Sequence, residues 1–165
     1  LKTTQLDITK RKSLLAAGNI DARFGNGRVS PDFLLFDDQS TIIQTVAKDL
    51  KKLLTKSFKS NINIYDSFFN IFTSGGGTTP HNHLTTDFDK QASLGLGERK
   101  CSLVYYLSVG DQNCSEPGTL NLYEPDENFL PFEGMIMIIP ASRKHSAMYN
   151  GKIDRVMIGV NFYVL

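Results

Sequence analysis

A single change of periodicity divides the chain and limits what it can fold into. From Asp38 to Phe58, the residues Ile42, Ile43, Val46, Ala47, Leu50, Leu53, Leu54 and Phe58 recur at spacings of three and four, with Lys48, Lys51, Lys52 and Lys56 between them. Side chains at those spacings share one helix face. The pattern therefore predicts an amphipathic helix of about five turns, capped by Asp38 or Ser40. After Phe58 the helical pattern does not return. β-Branched and aromatic residues, broken by Gly, Pro and Asn, continue to the C-terminus and predict strands at 61–73, 79–86, 100–109, 118–124, 134–140, 144–150 and 154–164. The first 37 residues carry turn formers at 25-GNGR-28 and 30-SPD-32 and predict one or two short strands with irregular chain. One helix followed by many short strands is the pattern of a mainly β sandwich or barrel with the helix packed outside.

Composition narrows the class further. A chain of 165 residues with 41% apolar and 21% charged residues can bury one sizeable core, and no linker divides it, so a single domain over 1–165 is expected. The net charge of +1 gives no field for nucleic acid or an anionic membrane, and neither partner is expected. No segment reads as a signal peptide or membrane span, and Cys101 and Cys114 allow at most one bridge, so a reduced, cytoplasmic setting is the expectation. The glycine run 75-GGG-77 lacks the Lys-Ser/Thr of a phosphate loop, and the cysteines lack a CxxC spacing. The ring-rich 65-YDSFFNIF-72 reads as core strand.

Only three histidines occur, and two of them, His81 and His83, stand in 80-PHNH-83. Along a strand, residues two apart point to the same side, so an extended 79–86 aims both imidazoles one way and Asn82 the other. Pro80 suits a strand start or edge, with Gly75-Gly76-Gly77 as the loop that delivers the strand. Two histidines in a β protein are ordinarily surface polarity or satisfied core groups. His145 changes that weighting, because it follows an apolar strand ending at Pro140 and a polar turn that would bring it back to a barrel mouth. A three-nitrogen site with open positions is the geometry of a catalytic metal, iron or zinc.

Arg155 stands ten residues after His145 at the head of the last strand, on one face with Met157, Gly159, Asn161 and Tyr163. An arginine on an inner sheet face needs an anion, either an internal carboxylate or a ligand.

Together these residues resemble the iron(II)- and 2-oxoglutarate-dependent oxygenases. That family carries His-x-Asp/Glu, a distal His, and then an Arg or Lys for the cosubstrate carboxylate on a double-stranded β-helix (a jelly-roll, cupin-like fold). The likeness runs from Ser67 to Phe162, and is nearest to a subgroup with a PHxH element. Its elements here are 80-PHNH-83, 104-VYYL-107, 118-GTLNLYEP-125, 140-PASRKH-145, and Arg155 through Asn161.

The resemblance implies a jelly-roll core at 61–165 preceded by N-terminal strands and the helix at 1–60. It implies Fe(II) held by His81, His83 and His145, with 2-oxoglutarate clamped by Arg155 and O2 as oxidant. It further implies Asn161 close to iron or cosubstrate, a hydroxyl from Tyr105 or Tyr106, and hydroxylation of a C–H bond in a small-molecule or peptidyl substrate. One departure is plain: His83 stands where the family has a carboxylate, and Asp87 or Asp89 is the alternative oxygen ligand, ranked below His83. The competing readings are a three-histidine zinc hydrolase or lyase, a cupin-type enzyme without 2-oxoglutarate, and a non-catalytic jelly-roll binding module.

Overall fold

The computed structural model describes residues 27–30, 32–84 and 95–165. The expected strand before residue 27 and the alternatives Asp87 and Asp89 lie outside the described residues.

The predicted helix forms as α1, Thr41–Phe58, with Ser40 as its N-cap: the Ser40 side chain accepts from the Ile43 N–H at 3.4 Å. It is preceded by β1 (Arg28–Val29) and a single 3-10 turn at Leu35–Asp37. Then come β2 (Ile62–Phe72), β3 (Gly76–His81), a short α2 (Leu96–Arg99), β4 (Lys100–Ser108), β5 (Pro117–Leu122), β6 (Glu127–Phe129), β7 (Ile136–Pro140), β8 (His145–Tyr149) and β9 (Arg155–Val164). The strands pair antiparallel into two sheets, ordered β1-β2-β9-β4-β7 and β3-β8-β5-β6. The protein is mainly β, and among the described residues no helix is long and apolar enough to cross a membrane.

Alternation along β9 divides the larger sheet into two chemistries. Ile158, Val160 and Phe162 face α1 and bury Leu50 and Leu54 together with Ile62 and Leu103. This is the seam that the three-four spacing of the helix demanded. The opposite face carries Arg155, Met157, Gly159, Asn161 and Tyr163, and their cross-strand partners on β4 are Tyr106, Val104, Ser102 and Lys100. Tyr149 of β8 packs against Phe72, Tyr106 and Met157, so the second sheet closes over this inner face.

Two local expectations change. Gly76 and Gly77 begin β3 and are not a delivery loop; a Cβ at Gly77 would overlap Ala147 O and Met148 of β8, so glycine is what lets the two strands approach. The strand also stops at His81, well short of 86. Asn82 ends it, because its side-chain Oδ1 accepts from the Leu84 N–H at 3.2 Å and turns the chain.

Candidate active site

The three histidines come together where the second sheet meets the inner face. His81 closes β3, His145 opens β8, and the two are cross-strand partners. His83 lies beyond the strand, so the shared strand face predicted for the pair does not exist. Its position is set by the bend at Asn82 and by its own N–H, which donates to Ala141 O at 2.8 Å. Ring centroids lie 5.2 Å apart for His81 and His83, 4.4 Å for His81 and His145, and 5.0 Å for His83 and His145. One ring nitrogen from each falls within 4.8 Å of the other two.

Every Nδ1 has an oxygen acceptor. His81 Nδ1 sits 2.7 Å from Thr79 O, His83 Nδ1 2.9 Å from Asn161 Oδ1, and His145 Nδ1 3.0 Å from Arg143 O. An oxygen acceptor requires the proton on Nδ1, which in the neutral ring leaves Nε2 as a lone pair. The Nε2 atoms of His83 and His145 are 3.2 Å apart. Three imidazoles whose Nδ1 atoms are held by oxygen acceptors, leaving Nε2 for a ligand bond in the neutral form, suit a divalent metal, because outer hydrogen bonds orient ligating histidines in this way.

Burial keeps the His83 and His145 rings neutral. Burial lowers the His83 pKa to about 3, with the neighbouring His145 and His81 adding to the effect and the Asn161 hydrogen bond opposing it. Burial likewise lowers His145 to about 4, against the backbone bond to Arg143. In acid the unfolded chain binds protons at these positions that the folded chain refuses, so stability falls with pH. The metal-free protein should lose stability as pH drops below about 6.5, the ordinary histidine value, and continue losing it through about 4 to about 3. Urea midpoints over this range check the expectation, and His83→Gln should flatten the slope.

Arg155 is completely buried at the head of β9. Its Nη1 donates to Gly118 O, its Nε lies 3.4 Å from Met157 Sδ, and its guanidinium stands 5.0 Å from the Tyr106 ring centre. Among the described residues no carboxylate pairs with it, and burial pushes its pKa below the ordinary arginine value, with Tyr106 opposing. Gly118 is needed for this seat: at φ +82 its missing side chain leaves the space the guanidinium fills. Tyr106 is the tyrosine that faces Arg155, whereas Tyr105 sits with the residues packed toward α1.

Asn161 accepts at Oδ1 from Ser102 Oγ (2.7 Å) as well as from His83, and its Nδ2 donates to Asp66 Oδ2 at 3.1 Å. Ser102 and Asp66 were not singled out in the sequence, since only cross-strand register brings them to Asn161. A second buried cation, Lys100, lies on the same inner face with its Nζ 4.8 Å from the Tyr65 ring centre.

No family model and no curated protein matches the chain. Solved structures do match in fold. A prolyl-4-hydroxylase from Pseudomonas putida aligns at TM-score 0.64 and 16% identity, covering 96% of this chain and 83% of that one. HygX from Streptomyces hygroscopicus, with nickel and 2-oxoglutarate bound, aligns at 0.64 and 12%, covering 95% and 78%. An oxidoreductase of the 2OG-Fe(II) oxygenase family from Burkholderia pseudomallei aligns at 0.56 and 12%, covering 73% of this chain; the present chain spans only 57% of its length. At such identities the likeness is one of fold. The chain is built like the structures of 2-oxoglutarate and iron(II) oxygenases.

Proposed function

We propose that the protein is a non-haem iron(II), 2-oxoglutarate-dependent dioxygenase that hydroxylates a C–H bond of its substrate. The observation that carries this reading is Arg155, a fully buried guanidinium with neutral neighbours on the inner face from which Asn161 reaches His83. A buried cation without a counter-charge is costly, and a dicarboxylate ligand would offset that cost through a bidentate pair. The strand orders β2-β9-β4-β7 and β3-β8-β5-β6 agree with a double-stranded β-helix, in which successive strands change sheet except at one hairpin, here β5–β6.

In this reading His81, His83 and His145 hold the metal through Nε2, and Thr79 O, Asn161 and Arg143 O keep those nitrogens unprotonated. Arg155 takes the distal carboxylate of 2-oxoglutarate, with the Tyr106 ring restricting the guanidinium from one side. Bound iron supplies oxidation of a C–H bond by O2, coupled to decarboxylation of 2-oxoglutarate to succinate and CO2. The inner-face side chains Met157, Phe72 and Tyr149 keep water from the buried end of the site.

The all-imidazole donor set also suits a zinc enzyme, which would leave the burial of Arg155 without a use. Anaerobic titration of metal-free protein with iron(II) and 2-oxoglutarate separates the two. The weak visible charge-transfer band of a chelated 2-oxo acid should appear only when both are present. Tight zinc uptake with no such band would replace the oxygenase reading, and no metal uptake at all would leave a binding module.

A further inference from the structure

We infer that Asp66, acting through Asn161, is a positioning residue that selects the metal-binding tautomer of His83. The inference deepens the oxygenase reading and rests on it for the word metal.

The starting point is a register shift in β2. Ile64 pairs with Phe162 and Asp66 with Asn161, so Tyr65 is an extra residue in the β2 strand. Such a bulge re-aims the residue that follows it. Without it, simple alternation from Ile64 would turn Asp66 to the α1 side with Phe162; with it, Asp66 shares the inner face with Asn161.

The second step is the chemistry of an amide between two neighbours. An Asn side chain has one accepting end and one donating end, and a carboxylate can only accept. With Asp66 at 3.1 Å, the Asn161 Nδ2 must face the carboxylate and Oδ1 must face the other way, toward Ser102 Oγ at 2.7 Å and His83 Nδ1 at 2.9 Å. A reversed amide would set oxygen against carboxylate. Because Oδ1 faces the imidazole, His83 must carry its proton on Nδ1, and its Nε2 is left as the lone pair beside His145 Nε2.

His81 and His145 do not need this device, because backbone carbonyls, which cannot reverse, hold their Nδ1 atoms. His83 stands in a bend outside any strand and takes its partner from a side chain that can reverse. Asp66 is what removes that freedom. It also links a carboxylate, through one amide, to the imidazole of His83.

The test uses the full chain labelled with 15N-histidine, whose three histidines keep long-range 1H–15N spectra simple. Spectra are taken metal-free, above the ordinary imidazole range, beside a cobalt(II) titration. In the wild type His83 should show the Nδ1–H tautomer. In Asp66→Asn, position 66 can donate or accept, so Asn161 is free to reverse; a substantial Nε2–H fraction should appear at His83, and cobalt affinity should fall about 10- to 100-fold.

The double variant Asp66→Asn, Asn161→Asp exchanges amide and carboxylate. The acid now at 161 accepts from His83, Ser102 and the new amide, so the Nδ1–H tautomer and most of the affinity should return. A merely structural role for Asp66 predicts no such recovery. An unchanged His83 tautomer in Asp66→Asn, or a double variant that recovers nothing, overturns the inference. If the wild type took up no cobalt, the oxygenase reading would fall, while the tautomer shift in metal-free protein would still decide the relay.

Discussion

Replacing His145 with alanine is expected to abolish binding of a divalent metal while leaving the protein folded. His145 is the buried member of the cluster, paired across strands with His81 and stacked on His83 at an interplanar angle of 17°. Its loss leaves two imidazoles, one of them on a bend, and two neutral nitrogen donors hold a divalent ion weakly. Loss of an outer hydrogen-bond partner typically costs 10- to 100-fold in metal affinity, so deletion of a ligand should exceed about 100-fold. The fold should survive, because the two apolar clusters around Leu54 and Phe72 do not include the imidazole. Calorimetric titration with iron(II) under anaerobic conditions, beside circular dichroism, checks both halves. Iron affinity retained in His145→Ala would remove the metal assignment. The same titration on His83→Ala and Asp87→Ala assigns the third ligand: iron kept in the first and lost in the second would give the role to Asp87.

What the sequence made legible follows from which physical signals are local. The helix at 41–58 was readable because its apolar spacing and Ser40 cap are both properties of adjacent residues. The long strands β2, β4 and β9 were readable because alternation and β-branched content persist over many residues. The short β6, with the polar sequence Glu127–Phe129, carries no such signal and exists through its pairing with β5. In the site, the convergence of His81 and His145 was legible from an apolar strand ending in a polar turn. The route taken by His83 was not: alternation predicted a shared face, whereas an Asx turn at Asn82 and a backbone bond to Ala141 put the ring in place. Asp66 was hidden for a related reason. A bulge is one residue of extra chain, visible only against the partner strand, and it decides which side Asp66 faces.

Replacing Arg155 with methionine should separate stability from function in opposite directions. In the ligand-free protein the guanidinium is wholly buried with a carbonyl, a thioether and an aromatic face as its partners. Those groups replace hydration incompletely, so the cation is held at a cost to the fold. Methionine fills similar volume without charge; it costs Gly118 O a hydrogen bond worth about 1 kcal/mol, and Met157 Sδ and Tyr106, both neutral, lose only weaker contacts. The melting temperature of the ligand-free variant should therefore equal or exceed that of the wild type. The response to cosubstrate should go the other way. In the presence of metal, 2-oxoglutarate at 100 times its Kd stabilises a binding protein by about 2.7 kcal/mol, and this shift should vanish in Arg155→Met while metal affinity stays unchanged. Arg155→Lys keeps the charge without the planar fork and should retain only part of the shift. A methionine variant that melts lower and still responds fully to 2-oxoglutarate would make Arg155 an ordinary structural residue and leave the cosubstrate without a clamp.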